Sequence, residues 1–324
     1  MAFARLAEAA APAARIGLGL AAVGRPGYIN HGRDRDLPAE RTVDALRERT
    51  HQLLDAAYGH GVRYLDAARS YGRSEEFLAD WLRARPDAED AVIGSKWGYT
   101  YVADWRTDAE VHEVKDHRVA AYDRQLAETK ALLGPRLDLY QIHSVTPESP
   151  ALTDRALHGR LAALAAEGVT IGLSTSGPAQ ADAIRAALDV TWEGEPVFRT
   201  VQSTYNVLET GAGAALAEAH AAGRSVIIKE AVANGRLATA EHAPPELLRI
   251  AEETGAAPDA VAVAAVLHQP WAGTVLSGAA TAEQLASHVG AVRLRLTEDQ
   301  LTRLAGLAET SAAYWRHRSE LPWT

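Results

Sequence analysis

Eight short apolar runs alternate with amphipathic stretches along almost the whole chain. The runs cover 15–20, 62–66, 91–96, 137–143, 169–174, 200–205, 225–229 and 273–277. They are rich in β-branched and aliphatic residues, as strands covered on both faces require. Between them, Val43, Leu46, Leu53, Leu54 and Ala57 recur at the spacing of one buried helix face. Val119, Tyr122, Leu126, Leu132 and Leu133 do the same, as do Leu157, Leu161 and Leu164. Gly59, Gly61, Gly134, Gly168 and Gly223 stand between a helical pattern and the next run, where a left-handed cap costs glycine least. Strand then helix, eight times over, predicts an α/β chain folded as a (β/α)8 TIM barrel, one domain over 1–324. An open doubly wound sheet is the alternative.

Composition removes several classes of function. With 47% hydrophobic and 23% charged residues the chain is no disordered scaffold. A net charge of -9, with no basic stripe, argues against a nucleic-acid partner. Cysteine is absent, which excludes disulfides and thiolate chemistry and fits a reducing cytoplasm. No His-x-His or His-Glu-x-x-His spacing occurs, so no metal site is expected. No window holds 18 consecutive apolar residues, so no membrane span is expected. Residues 1–14 are alanine-rich but interrupted by Arg5 and Glu8, and read as a short arm. The stretch 97–116 is a long connection carrying Trp97, Tyr99, Tyr101 and Trp105. Such a loop over a barrel mouth makes a pocket wall, with Trp97, Tyr99 and Trp105 against the substrate. The tail, 311–324, carries Trp315 and Trp323 and either folds over the same mouth or packs outside it.

In such a barrel the reactive groups come from the C-terminal ends of the strands. The second run ends in Asp66 and leads through Ser70 to Tyr71 and Gly72, the third ends in Lys96, and the fourth ends in His143. Asp, Tyr, Lys and His thus arrive at one rim. The residues that carry them are Gly61-Val62-Arg63-Tyr64-Leu65-Asp66-Ala67-Ala68-Arg69-Ser70-Tyr71-Gly72 with Ser74-Glu75, and Asp138-Leu139-Tyr140-Gln141-Ile142-His143-Ser144. Together with Gly278-Ala279-Ala280-Thr281-Ala282-Glu283-Gln284-Leu285 they resemble the aldo-keto reductases over roughly 15–310. The resemblance implies NAD(P)H-dependent reduction of an aldehyde or ketone, or the reverse. Carbonyl reduction needs a hydride on one side and a proton donor on the other. Tyr71 is the expected donor, with Lys96 lowering its pKa, Asp66 holding Lys96, and His143 orienting the carbonyl.

On the cofactor side the chain departs from the pattern. The family's Ser-Asn after the fifth strand is Ser174-Thr175 here, and Gln202 stands where its carboxamide-binding glutamine would. Ser277, Gly278 and Ala279 begin the loop after the eighth strand, and Thr281 and Gln284 form a capping-box pattern whose free amides suit a phosphate. The adenine-reaching Glu-Asn pair is Ser287-His288. No Arg lies between Ser277 and Gln284 to mark a 2′-phosphate, so NADP(H) ahead of NAD(H) is the family's habit. Lys229 replaces a stacking ring. If the strand alternates there, Glu230 turns away and a bare ammonium disfavours the cationic oxidised nicotinamide.

Two decoys fall away. Gly17-Leu18-Gly19-Leu20-Ala21-Ala22 fits a dinucleotide fingerprint, but Gly24, Pro26 and Gly27 break the helix it would open. No tyrosine has a lysine four residues later, against a short-chain dehydrogenase. The rival readings are a Schiff-base lyase using Lys96 or Lys229, and a cofactor-binding regulatory subunit.

Overall fold

The computed structural model describes residues 12–31 and 33–324. Of the arm expected over 1–14, only the last residues are described, in a 3-10 turn at Pro12–Arg15. The eight barrel strands are β1 Ile16–Gly19, β2 Tyr64–Asp66, β3 Val92–Trp97, β4 Leu139–Val145, β5 Thr170–Thr175, β6 Thr200–Thr204, β7 Ser225–Lys229 and β8 Thr274–Ser277. Each pairs in parallel with its chain neighbour, and β8 closes on β1 with Ile16 opposite Val275. Closure excludes the open sheet, and every strand end lies within two residues of its expected run.

Inside the barrel, Tyr64, Val92, Leu139, Ile227 and Leu276 form a separate apolar plug. Gly17 and Gly94 give the Tyr64 ring its room, since a Cβ at either would meet a ring carbon at 2.8 or 2.9 Å. Outside it run α1 Val43–Gly59, α2 Ser74–Ala84, α3 Val119–Leu133, α4 Arg155–Ala166, α5 Gln180–Leu188, α6 Gly213–Ala221, α7 Pro245–Thr254, α8 Pro258–Leu267 and α9 Ala282–Gly290. Leu46, Leu53, Leu54 and Ala57 of α1 are buried as one face, and each buried leucine contributes roughly 1.5–3 kcal/mol. The α1 start is set by Thr42, whose hydroxyl accepts from Ala45 N, and the α4 start by Asp154, which accepts from two amides. Two further helices, α10 Glu298–Ala305 and α11 Ser311–Ser319, follow the barrel.

Two segments crown the C-terminal rim. The expected loop over 97–116 is a hairpin: Tyr99–Tyr101 pairs antiparallel with Glu113–Lys115. The tail folds back over the mouth, for beyond α11 Trp323 bridges to Ile29, and Thr324 and Tyr28 exchange both backbone hydrogen bonds. Among the described residues no helix is long and apolar enough to cross a membrane.

Candidate active site

Asp66 and Lys96 form a fully buried ion pair where β2 and β3 end. Tyr64 Oη donates to the same carboxylate at 2.7 Å, and the Lys96 ammonium also donates to Ala67 O at 3.0 Å. Lys96 Nζ lies 4.8 Å from the centre of the Tyr71 ring. Tyr71 Oη stands 3.4 Å from His143 Nε2, the two rings edge to face. The structure therefore brings Asp66, Tyr71, Lys96 and His143 together. Burial pushes the Tyr71 phenol well above its ordinary pKa, Asp66 adds to this, and Arg25 opposes it. The lowering expected from Lys96 does not prevail, because its charge is met by Asp66 at contact. Tyr71 consequently holds its proton at neutral pH, the form an acid must have. Burial drives His143 well below its ordinary value, helped by Lys96 and Lys229, so its imidazole is neutral.

Backbone details aim these groups. A Cβ on Gly72, whose φ is +57°, would meet Gly24 O at 2.5 Å, and one on Gly24 would meet Tyr71 O at 2.4 Å. These two glycines let the segment after β1 close on the Tyr71 turn. Glu75 ties that turn down, accepting from Arg69, from Ser95 Oγ at 2.5 Å and from Thr129 Oγ1 at 2.8 Å. His143 sits at a register shift between β4 and β5, with Ser144 at a φ of +55°. Such a bulge re-aims a side chain. His117 Nε2 pins it from behind, 2.8 Å from His143 O.

These side chains open into a cleft of about 670 Å³, a size that suits a small molecule or cofactor. Its inner end is lined by Tyr71, His143, Tyr99, Gln202 and Lys229, its outer end by Ser277, Gly278, Ala279, Gln284 and His288. Some expected residues lie outside the cleft, and others are already bonded within the protein. Trp97 is fully buried against Tyr122 at the end of β3, because strand alternation sends Lys96 into the barrel and the Trp97 ring outward to the helix layer. Trp105 packs on Phe77, bonds Arg41 O at 2.8 Å and faces a separate hollow. Ser174 accepts from Ser144 N at 2.8 Å and Thr175 donates to Ser203 Oγ at 2.9 Å, both committed within the protein. Gln202 Nε2 donates to Asp66 at 3.2 Å. At α9, Thr281 caps Gln284 N at 3.2 Å, but the Gln284 side chain takes Ala280 N at 2.9 Å, and Ser277 Oγ takes Ala279 N at 3.3 Å. The amides expected to be free for a phosphate are thus partly used. His288 joins Ser277 at 2.7 Å and Asp259 at 3.3 Å.

Glu230 does not turn away from Lys229. Its φ of +58° ends the strand alternation, and both side chains line the cleft. Burial lowers Lys229 to about 8, against the pull of Glu230. Burial alone would raise Glu230, but Arg318 and Lys229 overcome it and hold it at about 2. Sequence reasoning missed Glu230, Arg318 and Arg25. Arg25 is 2% exposed, pairs with Glu113 at 2.8 Å and lies 4.7 Å from the Trp323 ring. Trp323 stacks its other face on His112 at 4.0 Å.

The model of the Aldo/keto reductase family matches residues 15–309. The chain belongs to that family. As a member it is an NAD(P)-dependent oxidoreductase acting on carbonyl groups, which sets aside the lyase reading. It is 26% identical over 294 residues to the aldo-keto reductase str7 of Strobilurus tenacellus, covering 80% of this chain and 81% of that one. A shorter match, 35% over 57 residues, covers 17% of this chain and 15% of an NADP(+) aryl-alcohol dehydrogenase of Phanerodontia chrysosporium. In fold it resembles an aldo-keto reductase of Bacillus halodurans, at a TM-score of 0.67 and 21% identity over 91% of this chain and 92% of the other. The glycerol dehydrogenase of Gluconobacter oxydans gives the same TM-score at 22% identity over 90% of each chain.

Proposed function

We propose that this aldo-keto reductase interconverts an aldehyde or ketone and its alcohol, with Tyr71 as general acid in reduction and general base in oxidation. The observation that carries the reading is the 3.4 Å approach of Tyr71 Oη to His143 Nε2 over the buried Lys96–Asp66 pair. The cleft fits a dinucleotide in its elongation from the Tyr71 end to the α9 end, and a Cβ at Gly278 would meet nothing within 4 Å. Bound NAD(P)H supplies the hydride. A carbonyl oxygen between Tyr71 and His143 takes a hydrogen bond from each, and Tyr71 passes its proton to the nascent alkoxide. Lys96 then stabilises the phenolate left behind, and Asp66 keeps the ammonium in place. Gln202, whose carbonyl oxygen makes no hydrogen bond among the described residues, would hold the nicotinamide amide. Gly278, Gln284 and His288 would line the adenosine half.

NADP(H) ahead of NAD(H) is supported by the resemblance and by the NADP(+) in one relative's name. Arg35 lines the outer end, 68% exposed in a pair with Glu241 at 3.3 Å, and would exchange that surface partner for a 2′-phosphate. The acids nearby are already engaged, Asp36 by Gln284 and Asp259 by His288 and Ser287. A chain without cysteine suits the cytoplasm. The deciding experiment measures kcat and dinucleotide Kd for Tyr71→Phe. Turnover should fall roughly 10²- to 10⁴-fold while Kd stays put, and turnover near wild type removes Tyr71 from the mechanism. Parallel titrations with NADPH and NADH test the preference.

A further inference from the structure

Charge around the inner end of the cleft is matched residue by residue, with one exception. Lys96 answers to Asp66 and Arg25 to Glu113. Arg318 answers to Glu230, donating to Oε1 from Nε at 2.9 Å and from Nη2 at 2.5 Å. The other Glu230 oxygen accepts from Thr204 Oγ1 at 2.8 Å, so both oxygens are engaged. Lys229 is left with the far side of Thr204, to which its ammonium donates at 2.8 Å, and with Glu230 at 3.9 Å. An ammonium has three donors, and among the described residues Lys229 uses one. Its side chain is only 16% exposed, and what exposure it has is to the cleft. Trp315 flanks it at 5.8 Å and removes water from that side.

A half-desolvated cation with spare donors gains most from an anion. The nicotinamide ring provides none, being neutral when reduced and cationic when oxidised, which leaves the dinucleotide's pyrophosphate or an anionic group of the substrate. We infer that Lys229 binds a negatively charged substituent of the substrate, so that the enzyme selects carbonyl compounds carrying a carboxylate. This rests on the carbonyl-reductase reading of the same cleft. Thr204 and Glu230 set the direction of the ammonium, and Arg318 keeps Glu230 from neutralising it. The specificity is therefore carried by a residue at the end of β7, across the mouth from Tyr71.

The test compares 3- and 4-carboxybenzaldehyde with their neutral methyl esters. Wild type should prefer an acid, and in Lys229→Met the ratio of kcat/KM for acid over ester should fall about 10- to 100-fold, the size of a charge-assisted hydrogen bond. The loss should appear in KM, and Lys229→Arg should restore part of it. In wild type the preference should fade above a pH of about 8, as the ammonium gives up its proton beside Glu230, Arg318 and Lys96. A wild type indifferent to the charge, or a Lys229→Met ratio equal to wild type, overturns the inference. So does an unchanged ratio with a weakened NADPH Kd, which makes Lys229 a cofactor contact. Calorimetric titration with benzoate separates the two proposals. Benzoate bound through Lys229 with neither aldehyde reduced counts against the function and leaves only an anion site at Lys229, whereas esters reduced with no benzoate bound keeps the function and overturns the inference.

Discussion

Replacing Lys96 by Met would strand the Asp66 carboxylate inside the barrel. Both partners are fully buried, and breaking such a pair by removing one member costs about 3–5 kcal/mol. Lys96→Met should therefore lower the denaturant midpoint as well as the rate. It should also shift the pH–rate profile upward, since the Tyr71 phenolate loses its nearest cation. A profile and a midpoint equal to wild type would contradict the pairing. At this scale the site was half legible. Asp66, Lys96 and His143 lie within two residues of a strand's C-terminal end and Tyr71 follows one closely, where barrel chemistry sits, and the resemblance named them. Arg25, Glu230 and Arg318 were not, because their partners lie in distant segments and no local spacing announces the contact. Trp97 misled for a simpler reason: a ring at the last position of a strand faces core or mouth according to parity, and the sequence leaves that end uncertain by one residue.

Among the elements, the segment after the hairpin has a measurable effect on stability. His117 is clamped between Ser149 Oγ at 2.6 Å and His143 O at 2.8 Å, and burial lowers it from 6.5 to about 4. Above pH 6.5 the imidazole is neutral in both folded and unfolded chains. As pH falls from 6.5 toward about 4 only the unfolded chain takes the proton, so stability declines across that window. The share of one such group is roughly 3 kcal/mol, and His143, lowered by the same burial, adds to the slope. Denaturant melts of His117→Asn from pH 7 to pH 4 should show a shallower decline than wild type, and parallel curves would reject the assignment. The strands were legible because a glycine precedes several of them and each apolar run is short. The hairpin was not: Tyr99-Thr100-Tyr101 is too brief for alternation to register, and its partner Glu113-Val114-Lys115 is mostly polar. The tail was open either way, since its docking depends on backbone bonds between Tyr28 and Thr324.

The barrel as a whole is joined at a single long-range seam. Its first and last strands meet only when Ile16, Gly17 and Leu18 pair with Val275, Leu276 and Ser277. Arg15 reinforces the joint from below, donating to Leu267 O at 2.8 Å and Ala272 O at 2.9 Å. Pairing so distant in sequence is slow to form, because loop closure must precede any contact energy. The cleft lies over this joint, with Gly19 from the end of β1 and Gly278 from just past β8 both on its wall. A molecule resting on both works like a clasp. Amide hydrogen exchange in Leu18 and Leu276 should slow when NADPH is added, and more than in the β4–β5 pair on the opposite side. Equal slowing everywhere would mean that the chain opens as one unit. If the seam opens first, the lifetime of the folded chain in the cell is set by how often its cleft is filled, and starvation for the dinucleotide would show first as proteolysis.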